Sequence, residues 1–87
     1  MNPNRTPRVE VGQIYLNEQM NEYLIVTKNV RGQIWYEGSG FRGQLEDYDF
    51  TEKFPAVDPQ DVDPSEIKYL LSFCPEGTEA SIGFVDE

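Results

Sequence analysis

Residues 21–55, NEYLIVTKNVRGQIWYEGSGFRGQLEDYDFTEKFP, restrict the fold more than any other part of the chain. Tyr23, Leu24, Ile25, Val26 and Thr27 form a run of aromatic, aliphatic and β-branched residues that suits a pleated, half-buried surface and reads as a strand. The stretch from Asn29 through Val30, Arg31, Gly32 and Gln33 supplies turn residues, with Gly32 able to take a positive φ, and Ile34, Trp35 and Tyr36 resume strand composition. A hairpin is expected. Gly38, Gly40 and Gly43 let the backbone bend around Phe41 into a third strand. Leu45, Tyr48, Phe50 and Phe54 then recur at spacings that fit a single 3₁₀ or α turn, which Pro55 stops. The turn is expected to close a small barrel.

Eighty-seven residues make one domain, and a chain of this size buries only roughly 60% of the surface its unfolded form exposes. Hydrophobic residues at 38% and aromatics at 13% suffice for one small core but not for a core and a deep substrate cleft. A binding surface is therefore expected in place of a pocket. Cys74 is alone, so no intramolecular disulfide can form; no apolar leader opens the sequence, and its apolar runs are far too short for a membrane span. A cytoplasmic, non-membrane protein is expected, as a monomer or a small homo-oligomer.

The formal net charge is −9, from 16 acids and 7 bases, and it is unevenly placed. Up to Gly43, Arg5, Arg8, Lys28, Arg31 and Arg42 face Glu10, Glu18, Glu22 and Glu37, whereas from Gln44 onward only Lys53 and Lys68 oppose a long series of carboxylates. A field of that sign repels phosphate backbones, so direct nucleic-acid binding is not expected, and a partner with a basic surface is the natural complement.

Around the central stretch, residues 1–8 hold two prolines and two arginines with almost nothing to bury, and read as a flexible arm. Val9, Val11, Ile14 and Leu16, interrupted by Gly12, suggest a first strand with a bulge or turn at the glycine; the polar residues 17–21 bend the chain into the hairpin. Ala56 and Val57 are expected to add a last strand. Residues 58–64, DPQDVDP, read as a stiff, extended acidic connector. Asp63, Pro64 and Glu66 carry a helix-start signature, and a helix over residues 64–73 places Ile67, Leu70, Leu71 and Cys74 on one face. The same segment alternates as Ile67, Tyr69, Leu71 and Phe73, so a hairpin returning through Ser81 to Val85 also fits; the cap signature favours the helix.

Four segments together carry a family likeness: Val11-Gly12-Gln13-Ile14-Tyr15, Glu22-Tyr23-Leu24-Ile25-Val26, Trp35-Tyr36-Glu37-Gly38 and the aromatic turn from Phe50 to Phe54. The pattern resembles the small SH3-like barrels common among uncharacterised phage and bacterial proteins, over residues 9–57. The resemblance implies a mainly β, SH3-like barrel and a phage or mobile-element origin. It carries no catalytic residues, and the acidic extension over residues 58–87 has no counterpart in it.

Catalytic chemistry finds little support. Histidine is absent, which removes the usual general base and commonest metal ligand. No serine sits in a nucleophile-elbow context, and Cys74 has no histidine to activate it. Asp58, Asp61, Asp63 and Glu66 lack the glycine and the order of a calcium loop, and the glycines around Phe41 lack the lysine of a phosphate-binding loop. No enzyme, cofactor or metal is expected.

Two constellations remain. Trp35, Tyr36 and Phe41 near Arg31 and Arg42 suit recognition, because aromatics and arginine dominate interface energetics; Trp35 and Tyr36 point to opposite faces of a strand, so at most one of them belongs to the core there. Glu46, Asp47, Asp49, Glu52, Asp58, Asp61, Asp63 and Glu66 would resemble the phosphates of a nucleic acid if the turn and connector shared one side. The expected function is a non-enzymatic, phage-type inhibitor or modulator that blocks a host nucleic-acid-binding or defence protein by nucleic-acid mimicry. The alternative is a structural or adaptor module docking a protein through its aromatic face.

Overall fold

Two hairpins in series make the body of the sheet. The computed structural model describes residues 9–83; the proposed N-terminal arm, and Phe84 and Val85 of the proposed last strand, lie outside them. The strands are β1 (Gln13–Asn17), β2 (Glu22–Val30), β3 (Gln33–Gly38), β4 (Phe41–Glu46), β5 (Ala56–Val57) and β6 (Ser81–Ile82), with helix α1 (Asp47–Lys53) between β4 and β5 and helix α2 (Pro64–Leu71) before β6. The fold is mainly β: a six-stranded sheet in the order β4-β3-β2-β1-β5, antiparallel throughout this path, with β6 pairing in parallel to the start of β1.

The β2–β3 turn uses Arg31 at φ 53° and Gly32 at φ 83°, both left-handed, which matches the twist of a two-residue hairpin. The second hairpin turns on Ser39 and Gly40, and its six residue pairs run without a break from Gly38↔Phe41 to Gln33↔Glu46. Among the described residues the sheet stays open, in contrast to the expected closed barrel: β4 ends the strand order with one edge unpaired.

Alternation along the strands sorts the apolar residues onto two sides. Tyr15, Leu24, Val26 and Ile34 face one side and pack with Phe50 and Phe54. Ile14 and Ile25 face the other and pack with Val62, Leu70 and the apolar side of α2. On the first side the rings meet edge to face: Phe50 lies 4.7 Å from Tyr15 and 5.2 Å from Phe54, and Tyr36 lies 5.1 Å from Phe54. Such pairs add roughly 0.5–1.5 kcal/mol each beyond their burial.

Helix α1 is longer than the single expected turn, and Leu45 belongs to β4, not to it. Its first N–H, from Asp47, donates to the Gly32 carbonyl at 2.8 Å, which ties the helix to the first hairpin turn. Phe50 is fully buried, whereas Tyr48 is 69% exposed and no part of the core. The connector is not extended: Asp58 Oδ1 accepts from the Gln60 N–H at 2.9 Å, and Pro59–Asp61 wind into a 3₁₀ turn. The helix alternative holds for the next segment. Asp63 Oδ1 accepts from the Ser65 N–H at 3.1 Å with Pro64 in the first turn, and Leu70 is buried beneath the helix.

Gly12 sits at φ +98°, and a Cβ there would stand 2.4 Å from the Glu79 carbonyl oxygen. That close approach lets the Ser81 N–H reach the Gly12 carbonyl at 3.0 Å and brings the returning chain onto β1.

Candidate functional site

Among the described residues, one stretch of sheet lacks a cover. Helix α1 packs on the side that carries Leu24 and Val26, and α2 packs on the side that carries Ile14 and Ile25, over β1 and β2. The second side of β3 and β4 is covered by neither core. It presents Gln33, Trp35 and Glu37 from β3 opposite Glu46, Gln44 and Arg42 from β4.

A bulge in β2 brings a cation to this open face. The register runs Val26↔Tyr36 and then Lys28↔Trp35, so Thr27 is the extra residue. Lys28 consequently lies beside Trp35 with its Nζ 5.1 Å from the ring centroid, a cation–π contact. Asn29 takes the place opposite Ile34, and its Nδ2 donates to the Val9 carbonyl. The Val26 carbonyl at the bulge accepts from the Gly12 N–H at 3.0 Å and from the Cys74 thiol at 3.5 Å, which locks the irregularity between β1 and the end of α2.

Two adjoining recesses follow. One, of about 490 Å³, is lined by Thr27, Trp35, Glu37, Arg42 and Gln44 among others. The next, of about 310 Å³, runs from Glu37 and Arg42 to Tyr69 and Phe73 of the α2 segment. Tyr69 and Phe73 meet edge to face at 5.1 Å, and Tyr69 is 45% exposed. Glu37 stands near enough to Cys74 to act on its thiol. Burial first, and the Glu37 carboxylate second, push that thiol above its ordinary pKa.

Trp35 and Arg42 therefore share the open face, while Phe41 does not. As the neighbour of Arg42 on a strand, Phe41 turns to the core side, half-buried against the Tyr36 ring at 6.5 Å, and it also lines the second recess. Tyr36, not Trp35, is the core member of the pair, and burial raises its pKa. Lys28, Glu37, Tyr69 and Phe73 were not anticipated as members of this surface. The aromatic pair at positions 69 and 73, off the helix face of Ile67, Leu70, Leu71 and Cys74, was the available signal.

The acidic residues fall into two groups. Glu46, Asp47, Asp49 and Glu52 lie at and along α1, whose Phe50 anchors it to one side of the sheet. Asp58, Asp61, Asp63 and Glu66 lie on the 3₁₀ turn and the first turn of α2, whose Val62 and Leu70 belong to the core of the other side. Asp58 and Asp63 are occupied as caps, and Asp47 and Asp49 sit in the first turn of α1, where the helix dipole favours them. Among the described residues, no three acidic or cysteine side chains converge to hold a metal ion, and no helix is long and apolar enough to cross a membrane.

No family model, curated protein or solved structure matches the chain.

Proposed function

We propose that the chain is a non-enzymatic protein-binding module on an SH3-like barrel, and that it holds its partner through Trp35 and Arg42 on the open face of β3 and β4. The observation that carries this reading is the unequal cover of the sheet. Two cores occupy the rest of it, yet a tryptophan beside Lys28 is left lining a recess with Arg42, and Arg42 lines the adjoining recess as well. Residues of these types give the largest losses when truncated at interfaces. The SH3-like part rests on the strand order β4-β3-β2-β1-β5 with a short helix between β4 and β5.

The partner is a protein with a basic surface beside its docking site, because a net charge of −9 steers such a surface toward the chain. Capture from cell extract with the wild-type chain, Trp35→Ala and Arg42→Ala tests this. Loss of the captured protein from both variants, with unchanged circular dichroism, is the expected result; retention by both contradicts it.

Helix α1 favours a second reading. Four carboxylates crowd Glu46, Asp47, Asp49 and Glu52, and three of these residues are exposed. On this reading the chain is a phage-type inhibitor that blocks a host nucleic-acid-handling or defence protein by charge mimicry. Asp49→Asn with Glu52→Gln then releases the partner while Trp35→Ala does not.

A further inference from the structure

We propose that the unpaired edge of β4 joins the same strand of a second copy of this chain, in an antiparallel register centred on Gln44. Among the described residues β4 is the last strand of the sheet, it pairs with β3 over six residues without a bulge, and it contains no proline. Bulges and prolines are usual devices that blunt an edge, and the charges that β4 does carry, Arg42 and Glu46, are of opposite sign and can pair across a twofold axis.

Backbone parity selects which groups are free. In a two-residue hairpin the pair flanking the turn is hydrogen-bonded and the pattern alternates from there. Gly38↔Phe41 is that pair, and the Asp47 N–H bond to the Gly32 carbonyl at 2.8 Å continues the same alternation at the far end. Phe41, Gly43 and Leu45 thus spend their backbone groups on β3. The N–H groups of Arg42, Gln44 and Glu46 point away from it, as do the carbonyls of Arg42 and Gln44, while the Glu46 carbonyl begins α1.

A twofold axis through Gln44 satisfies all of those groups except the Arg42 N–H. Each Gln44 exchanges hydrogen bonds with the other, and each Glu46 N–H donates to the Arg42 carbonyl of the second copy. The side chains agree with this register. Arg42 lies opposite the second copy's Glu46 on the open face, twice by symmetry, and each exposed pair is of opposite charge. On the core side each Leu45 meets the second copy's Gly43, where only the Tyr36 ring stands. A shift of two residues, the smallest that keeps the backbone phase, sets Arg42 against Gln44 or Tyr48 and loses both ion pairs. Pairing in this way joins the two open faces into one surface with a Trp35 on each half.

Sedimentation equilibrium of the full chain over a range of concentrations tests this, with Arg42→Glu, Glu46→Arg and the two combined. The wild type is expected to reach twice its 10.0 kDa mass. Each single reversal sets like charges opposite one another at both pairs and is expected to weaken association roughly tenfold. The combined reversal is expected to restore it, although Glu37 still faces position 42 within the chain. Gln44→Pro removes an N–H that β3 does not use, and is expected to leave a monomer with unchanged circular dichroism. A mass of 10.0 kDa at every concentration overturns the proposal. So does association indifferent to the single reversals, or a combined variant as weak as either of them.

Discussion

The Lys28 ammonium lies 5.1 Å from the centre of the Trp35 ring because Thr27 is an extra residue in β2. Without the bulge, unbroken pairing from Val26↔Tyr36 would set Lys28 opposite Ile34, on the side filled by Leu24, Phe50 and Phe54. The bulge, by taking Thr27 out of the pairing, thus keeps a charge out of the core and builds part of the open face.

Deleting Thr27 is expected to cost more stability than replacing it. The deletion leaves Lys28 opposite Trp35 but straightens β2, and the bonds that the Val26 carbonyl accepts at the bulge from the Gly12 N–H and the Cys74 thiol are disrupted, each worth roughly 0.5–1.5 kcal/mol. Thr27→Ala keeps the bulge and is expected to change stability by less than about 1 kcal/mol. Urea denaturation of both variants checks the contrast.

Helix α1 contains two aromatics with opposite fates. Phe50 is fully buried among Tyr15, Tyr36 and Phe54, so Phe50→Ala is expected to cost about 3–5 kcal/mol, a large share of the stability of so small a domain. Tyr48 is 69% exposed, and Tyr48→Ala is expected to stay within about 0.5 kcal/mol of the wild type. Thermal melting separates the two.

Tyr15 sets an alkaline limit. Its hydroxyl donates to Gln13 Oε1 at 2.8 Å in the core, and burial pushes its pKa up to about 12 from 10.0. The unfolded chain releases this proton near pH 10 and the folded one only near 12, so the stabilisation is complete below pH 10 and is lost as pH rises between the two. It amounts to up to about 2 kcal/mol. Melting temperature is expected to fall across that window, and Tyr15→Phe to flatten the fall while lowering stability at neutral pH.

Cys74 joins α2 to the bulge, and its thiol is harder to ionise than a free one through burial first and the Glu37 carboxylate second. Alkylation by iodoacetamide near pH 8 is expected to be slower than for an unfolded control. Glu37→Gln is expected to speed it by lowering the thiol pKa, with the gap from the control only partly closed because burial persists. A rate unchanged by Glu37→Gln means that the carboxylate does not act on the thiol.

What the sequence disclosed and what it hid have physical reasons. Gly32, Gly40 and the Asp63-Pro64 pair each act on the backbone within a few residues, so both hairpin turns and the start of α2 were readable. The bulge was not, since Thr27 suits a regular strand equally well and only the fate of Lys28 demands it. Nor was the division of the carboxylates. Phe50 and Leu70 look alike as core residues, and nothing local states that they enter opposite sides of the sheet. The separation of Phe41 from Arg42 was readable, because neighbours on a strand face opposite ways. The 3₁₀ turn over Pro59–Asp61 was concealed by prolines that suit an extended connector as well as a helical first turn.

The most direct test of the binding account is one capture experiment from cell extract at low and high salt, comparing wild type, Trp35→Ala, and Asp49→Asn with Glu52→Gln. The open-face account predicts that Trp35→Ala loses the partner at both salt concentrations, while the neutralised α1 variant keeps it and captures it more slowly at low salt. Retention by Trp35→Ala together with loss from the neutralised helix would contradict it and assign the contact to the carboxylates of α1.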